Sequence, residues 1–212
     1  GQDYVIVNSV LLKVPSNLIT GTVFEDMNYG GGAGRSLAVS SGVGTAATTV
    51  ELYNALNALV KTSATKPNGS YTIGGMANGN YRVRVVNSTV KSNRTGGAAC
   101  TTCLPVQTFR RNYATVGGFT NITNRVGGAN PAGTDPAAGT ITNAQSLSTV
   151  TITSEGVVGL DFGFNFNTIV NTNNTGQGSL EKFIVNSNNL GNTGLDIVAN
   201  GIFDPATGVD TS

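Results

Sequence analysis

The chain has 212 residues, with 12 Lys and Arg against 11 Asp and Glu, and it contains neither His nor Trp. Only 11% of its residues are charged, and none form a basic run of the kind that attracts phosphate backbones or anionic lipid. Nucleic acid is therefore excluded as an expected partner. A hydrophobic fraction of 39% is ordinary for a globular protein, so we expect a true core.

Gly, Thr and Asn are abundant, and this composition favours turns and β structure over helix. The chain shows no apolar run of about 18 residues and no apolar signal-peptide region after Gly1, so we expect a mature chain with no transmembrane segment. Low charge and only two Cys are typical of an extracellular or surface-exposed bacterial protein.

Alternation of apolar and polar residues recurs between turn-forming sequences, which predicts antiparallel β structure. In one run Tyr81, Val83 and Val85 alternate with Arg82 and Arg84, so the apolar side chains are expected to face inward and the arginines outward. The predicted strands are residues 4–14 (one strand or two), 19–25, 49–53, 58–62, 70–73, 81–85 and 157–166.

Residues 88–150 are rich in small and polar residues, and we interpret them as a partly ordered insertion lying over the sheet. A helix is predicted from Ser179, the expected N-cap, because Leu180, Phe183 and Ile184 follow helical spacing up to Gly191. The predicted organisation is an N-terminal strand segment (1–18), a β-sandwich (19–166), and a linker, helix and tail (167–212).

Five short motifs occur in order along the predicted sandwich. They are Gly21-Thr22-Val23-Phe24-Glu25-Asp26-Met27-Asn28, Val50-Glu51-Leu52-Tyr53, Asn68-Gly69-Ser70-Tyr71, Gly79-Asn80-Tyr81-Arg82-Val83 and the closing strand at 157–166. In these five motifs the chain resembles the Cna-B and SdrD-B-like domains of bacterial surface proteins. This resemblance implies a prealbumin-like antiparallel β-sandwich that serves as a stalk or spacer in adhesins, pili and similar extracellular fibres.

A second resemblance lies in the sequence that starts at Ile169 and ends at Gly176-Gln177-Gly178-Ser179-Leu180. It is similar to the N-T-x-x-x-G-x-G-S-L segments that precede β-helix regions in large secreted proteins. The resemblance implies a cap or a junction to a further region, and the chain is then part of a longer precursor.

Enzymatic chemistry is not expected. Without His, neither a Ser-His-Asp nor a Cys-His arrangement is possible, and no pair of carboxylates stands in a catalytic motif. We therefore predict that the protein is not an enzyme and has no cofactor, with calcium as the one ion to consider.

Asp26 and Asn28 open a glycine-rich loop and are candidate calcium ligands, since alternate short side chains can direct oxygens at one hard cation. A third acidic ligand is missing at Gly30, and Arg35 follows, so an Asx-type turn is the competing interpretation. Cys100 and Cys103 are expected to form an intrachain disulfide, with an intermolecular bridge as the alternative.

Both ends of the chain carry apolar residues beyond the recognisable sandwich. The candidate assembly residues are Tyr4, Val5, Ile6, Val7, Leu195, Ile197, Ile202 and Phe203. We predict a structural protein, a subunit of a bacterial surface filament, sheath or adhesin, that self-associates by adding a terminal strand to a neighbour's sheet. The alternatives are a calcium- or carbohydrate-binding module of a larger secreted protein, and termini that fold back on their own sandwich. A host or substrate surface is a further candidate partner.

Overall fold

The computed structural model describes residues 17–191, together with the backbone of three short strands further along the chain. In chain order the elements are β1 (Ile19–Glu25), α1 (Leu37–Ser40), β2 (Val43–Gly44), β3 (Thr49–Asn54), β4 (Leu59–Ala64), β5 (Ser70–Ile73), β6 (Gly79–Val85), a 3-10 turn (Asn87–Thr89), β7 (Val106–Ala114), β8 (Gly118–Ile122), β9 (Ser146–Ile152), β10 (Val157–Val158), β11 (Phe162–Asn165), β12 (Thr168–Ile169), α2 (Leu180–Asn189), β13 (Val198–Ala199), β14 (Ile202–Asp204) and β15 (Val209–Thr211).

The prediction of a mainly β fold with one C-terminal helix is confirmed. Within the described residues, eleven strands join in a curled mixed sheet whose main path is β10-β1-β11-β7-β9-β6-β3-β4. β2 and β5 pair with β1, and β8 pairs with β7. The predicted domain boundaries at 18 and 166 remain predictions.

The sheet differs from a wholly antiparallel sandwich at β1. This strand pairs in parallel with β10 and β11 and antiparallel with β2 and β5. β1 is consequently buried along almost its whole length. β7 and β9 also pair in parallel, at Tyr113 and Val150.

One large apolar cluster fills the space that the curled sheet encloses. Its members come from β1, β3, β5, β6, β9, β11 and the loops that follow them, and they include Ile19, Val23, Val50, Leu52, Tyr71, Val83, Val85, Val150, Leu160, Phe162 and Phe164. Alternation on β3 and β6 places every second side chain in this core, as predicted for Val83 and Val85. Burial of these side chains is the main favourable contribution to folding.

The β4–β5 turn depends on a glycine. Gly69 has φ +78°, and a Cβ added there would lie 2.4 Å from the carbonyl oxygen of Val23. The backbone N–H of Val23 donates to the carbonyl oxygen of Gly69 at 2.9 Å, so the turn sits directly against β1. Glycine is required here because it adopts a positive φ without strain and leaves room for the carbonyl oxygen of Val23.

Residues 88–150 contribute strands as well as loops. β7, β8 and most of β9 lie in this stretch, and β7 and β9 stand on the main path of the sheet between β11 and β6. Their sequences are rich in Thr, Ser, Arg and Asn, which conceals the alternation in the residue pattern. Two long connections, 86–105 and 123–145, form the irregular part of the stretch.

Helix α2 begins at the predicted N-cap, where the Ser179 hydroxyl accepts from the backbone N–H of Lys182 at 3.2 Å. It docks through a polar residue: Asn186 donates to the carbonyl oxygens of Phe166 and Leu104 at 2.8 and 2.9 Å and accepts from the N–H of Leu104 at 3.1 Å. The predicted apolar positions Leu180 and Ile184 are exposed.

Candidate functional site

The two candidate calcium ligands share one cation, the guanidinium of Arg35. Its Nε donates to Asp26 Oδ2 at 2.9 Å and its Nη2 donates to Asn28 Oδ1 at 2.8 Å, while a further bond joins Nη2 to Asp26 Oδ1. Burial raises the pKa of Asp26 above its ordinary value, although Arg35 acts in the opposite direction. The side-chain oxygens therefore converge as the sequence predicts, but they converge on a side chain of the protein itself.

No group of three or more His, Cys, Asp or Glu side chains within the described range is arranged to hold a metal ion. Glu25, next to Asp26 in sequence, turns instead to Ser92, Asn93 and Arg94. Calcium binding at Asp26 and Asn28 remains a prediction, and any cation entering there must displace Arg35.

Cys100 and Cys103 are joined by a disulfide bond, and both residues are buried in the main apolar cluster. The bridge closes a turn in which the backbone N–H of Cys103 also faces the Cys100 sulfur. The carbonyl oxygen of Cys100 accepts from Lys91 Nζ at 2.9 Å. The bridge thus fixes the long 86–105 connection beside the core.

The candidate assembly residues fall mainly outside the described residues. These are Tyr4, Val5, Ile6, Val7, Leu195 and Ile197. Ile202 and Phe203 belong to β14, which pairs antiparallel with β15, and only the backbone is described there. Their role in assembly remains a prediction.

A buried network of charged side chains, not predicted from the sequence, centres on Arg84. Its Nη1 donates to Glu51 Oε2 at 3.0 Å and its Nη2 donates to Asp135 Oδ2 at 2.9 Å. Tyr53 also donates to Glu51 Oε2, at 2.6 Å, and burial together with this hydrogen bond raises the pKa of Tyr53 to about 12. Three ionic groups in one desolvated cluster need nearly complete hydrogen bonding to be tolerated.

This cluster holds the 123–145 connection against the outer face of the sheet. Arg84 also donates to the carbonyl oxygen of Ala137 at 3.0 Å, and the N–H of Gly139 donates to Glu51 Oε1 at 2.6 Å. Asp135 accepts from the N–H of Gln145 at 2.9 Å and from the N–H of Asn87 at 3.0 Å. The network therefore gives a segment without strands a defined position.

A second buried pair, Glu25 and Arg94, anchors the 86–105 connection to the end of β1. Arg94 Nε lies 3.3 Å from Glu25 Oε1, and neither side chain is more than 1% exposed. Burial raises the pKa of Glu25, against the lowering effects of the Asn93 N–H, Arg94 and Ser92. The Arg84 cluster thus fixes the 123–145 connection to the sheet, and the Glu25–Arg94 pair fixes the 86–105 connection.

A third cluster stabilises the β7–β8 hairpin. Arg111 Nε donates to Asn121 Oδ1 at 3.0 Å, and Nη1 donates to the carbonyl oxygen of Gly159 at 3.1 Å. The guanidinium carbon lies 5.4 Å from the ring centroid of Phe119, a cation–π distance. Phe119 packs edge-on against Tyr113, with 5.0 Å between the centroids.

The sequence contained part of the information needed to find these clusters. Arg84 alternates with core residues on β6, so its face is predictable, but the cover over that face comes from Asp135-Pro136, about fifty residues later. No helix among the described residues is long and apolar enough to cross a membrane.

Comparison with known proteins finds no matching family model and no matching curated protein. Solved structures show weak similarity. The minor pilin GBS52 of the Gram-positive pathogen Streptococcus agalactiae is 12% identical, with a TM-score of 0.35 over 76% of this chain and 47% of the pilin chain. The chain therefore spans about half the length of that protein.

Two further structures are similar at a comparable level. The major pilin subunit BcpA of Bacillus cereus is 14% identical, with a TM-score of 0.29 over 76% of this chain and 35% of the pilin chain. The major plantain pollen allergen Pla l 1 is 12% identical, with a TM-score of 0.29 over 70% of this chain and 93% of the allergen. Similarities at this level carry no inference about function.

Proposed function

We propose that the chain is an extracellular structural module, a subunit of a bacterial surface filament, sheath or adhesin, and not an enzyme. The observation that carries this proposal is the use of buried charge. The Glu51–Arg84–Asp135 cluster and the Glu25–Arg94 pair both join a long connection to the sheet. Buried ion pairs of this kind specify loop positions, which suits a module that has to present a constant surface.

The proposed route of assembly is strand addition. In the segment from Tyr4 to Val14, Val10, Leu12 and Val14 stand at every second position, and such a segment can extend the open edge of a neighbouring sheet. Repeated head-to-tail contacts between copies do not close on themselves and lead to a fibre.

The sequence similarity at 169–180 supports a second part of the proposal, that this region is a junction to a further region of a longer protein. In the structure β12, α2 and β13 form a strand-helix-strand unit whose two strands are parallel. Such a unit is compatible with continuation of the chain into another module.

A calcium-binding function is the second candidate, because the oxygens of Asp26 and Asn28 do converge on one positive charge. The two functions are separated by electron microscopy and sedimentation of the purified protein with and without calcium. A structural subunit self-associates in the absence of a ligand. A protein that stays monomeric at all concentrations and binds calcium supports the second candidate and contradicts the first.

A further inference from the structure

β8 is an edge strand without the features that normally protect one. Among the described strands it pairs only with β7, over five residues in continuous register. Its sequence, Gly118-Phe119-Thr120-Asn121-Ile122, contains no charge and no proline, and its three central residues are exposed. An open edge of this type presents unpaired backbone groups to any extended segment nearby.

β4, at the end of the main path of the sheet, is protected. It carries Lys61, and its register with β3 shifts between Leu52 and Tyr53, which marks a β-bulge or irregularity. Lys61 Nζ donates to the carbonyl oxygen of Gly74, just beyond β5, and so crosses the space between β4 and β5. Lysine and a bulge are two common means of preventing strand addition. The β8 edge is therefore open to pairing with an added strand, whereas the β4 edge is protected against it.

The β8 edge is also held in place before any partner arrives. Arg111 connects β7 to Asn121 of β8 and to the Gly159 carbonyl beyond β10, and it forms an ion pair with Asp161 at 3.4 Å. Its guanidinium stacks over Phe119. A rigid edge loses less conformational freedom on binding than a mobile one, so more of the interaction energy appears as affinity.

We infer that β8 is the acceptor edge to which residues 4–14 of a second copy of the chain add as a strand. This inference rests on the proposed function, in which that segment is the donor. As an extended strand the segment spans about 36 Å, and β8 spans about 17 Å, so the donor is long enough to cover the whole edge.

Side-chain alternation supplies a register for this contact. Val10, Leu12 and Val14 fall on one face of an extended strand. On β8, Phe119 already continues the aromatic row that begins with Tyr113 of β7. Apolar donor residues next to Phe119 would lengthen this row, and cross-strand pairs of aromatic and branched side chains stabilise sheets.

The test compares one substitution at the two edges of the full-length chain. Thr120→Lys places a charge on β8, and Thr62→Lys places the same charge on β4, where the replaced threonine is also exposed. We expect Thr120→Lys to raise the concentration required for assembly at least tenfold, and Thr62→Lys to leave it unchanged. Thermal unfolding of both variants checks that each is folded, and Thr120→Asp repeats the test with the opposite charge.

In the wild-type assembly, amide hydrogen exchange at Gly118–Ile122 should slow relative to the dilute monomer. Assembly of Thr120→Lys and Thr120→Asp at the wild-type concentration would overturn the inference, as would selective loss of assembly in Thr62→Lys. Removal of residues 1–14 separates the identity of the donor segment from the identity of the acceptor edge. A full-length wild-type chain that never assembles contradicts the proposed function. If the full-length and truncated chains both assemble, residues 1–14 are not the donor and the inference fails. If the truncated chain is monomeric while the Thr120 variants assemble, only the assignment of β8 fails.

Discussion

Glu51 on β3 and Arg84 on β6 are direct cross-strand partners, and neither side chain is more than 1% exposed. Asp135 completes the cluster from a connection about fifty residues further along the chain. Replacement of Arg84 leaves two carboxylates buried without their cation. We expect Arg84→Leu to reduce the free energy of unfolding by about 3–5 kcal/mol in urea titrations.

Arg82 provides the matched control, since it lies two residues away on the same face of β6 and donates a hydrogen bond to the exposed Asn57 side chain. Arg82→Leu should cost less than about 1 kcal/mol. Hydrogen exchange should in addition show faster exchange across residues 135–145 in Arg84→Leu alone. Equal losses of stability in the two variants would show that the buried cluster does not hold the loop.

The disulfide is expected to be complete in the native protein. Mass spectrometry without reductant should find no free thiol, because the Cys100–Cys103 bond lies in the core cluster. In the chain-entropy description, closing so short a loop contributes about 2 kcal/mol, so reduction should lower stability by that order. Two free thiols per native chain would contradict the prediction.

Chelation of calcium should leave the thermal midpoint of the wild-type protein unchanged, because Arg35 already neutralises Asp26 and satisfies Asn28. A ligand that binds only the folded state would raise the midpoint with concentration. Arg35→Ala should be less stable than wild type, since it leaves the buried Asp26 carboxylate without its partner. A calcium-dependent midpoint in wild type that disappears in Asp26→Ala would show that calcium displaces Arg35.

Stability should depend on the ionisation of Glu25. Burial raises the pKa of this carboxyl above its ordinary value of 4.5. Because the folded state binds the proton more tightly than the unfolded state, this contribution to stability is complete below pH 4.5 and is lost as pH rises through the raised pKa. Unfolding free energies measured from pH 4 upward should therefore fall more steeply in wild type than in Glu25→Gln. An identical slope in both proteins would rule out Glu25 as the source.

Strands with clear alternation were predictable, as β1, β5 and β6 show, whereas the single strand predicted over 157–166 is divided into β10 and β11. The helix was predictable as well, because Ser179 and the 3.6-residue spacing are local features. β7 and β9 were not identified, since Arg110-Arg111-Asn112 and a series of Ser and Thr residues conceal their faces. Their pairing joins distant parts of the chain, and no local pattern encodes it.

The charged clusters likewise depend on contacts between distant residues, which local sequence patterns do not encode. Alternation on β6 correctly placed Arg84 opposite the core, and we expected it to point outward. It is nevertheless completely buried, because the 135–139 part of a long connection covers it. At Asp26 and Asn28 the sequence predicted converging oxygens, but it did not show that Arg35 would meet them. In both places the partner decides the chemistry, and the residue's own local pattern does not reveal it: Asp135 meets Arg84, and Arg35 meets Asp26.

We propose that the chain is a self-associating structural subunit whose N-terminal segment joins it to a neighbour. The most direct test is sedimentation and electron microscopy of the full-length chain and of the chain without residues 1–14, at equal concentration and without added ligand. We predict filaments or higher oligomers for the full-length chain and a folded monomer for the truncated one. Filaments from the truncated chain, or a full-length chain that remains monomeric at every concentration, would contradict the claim.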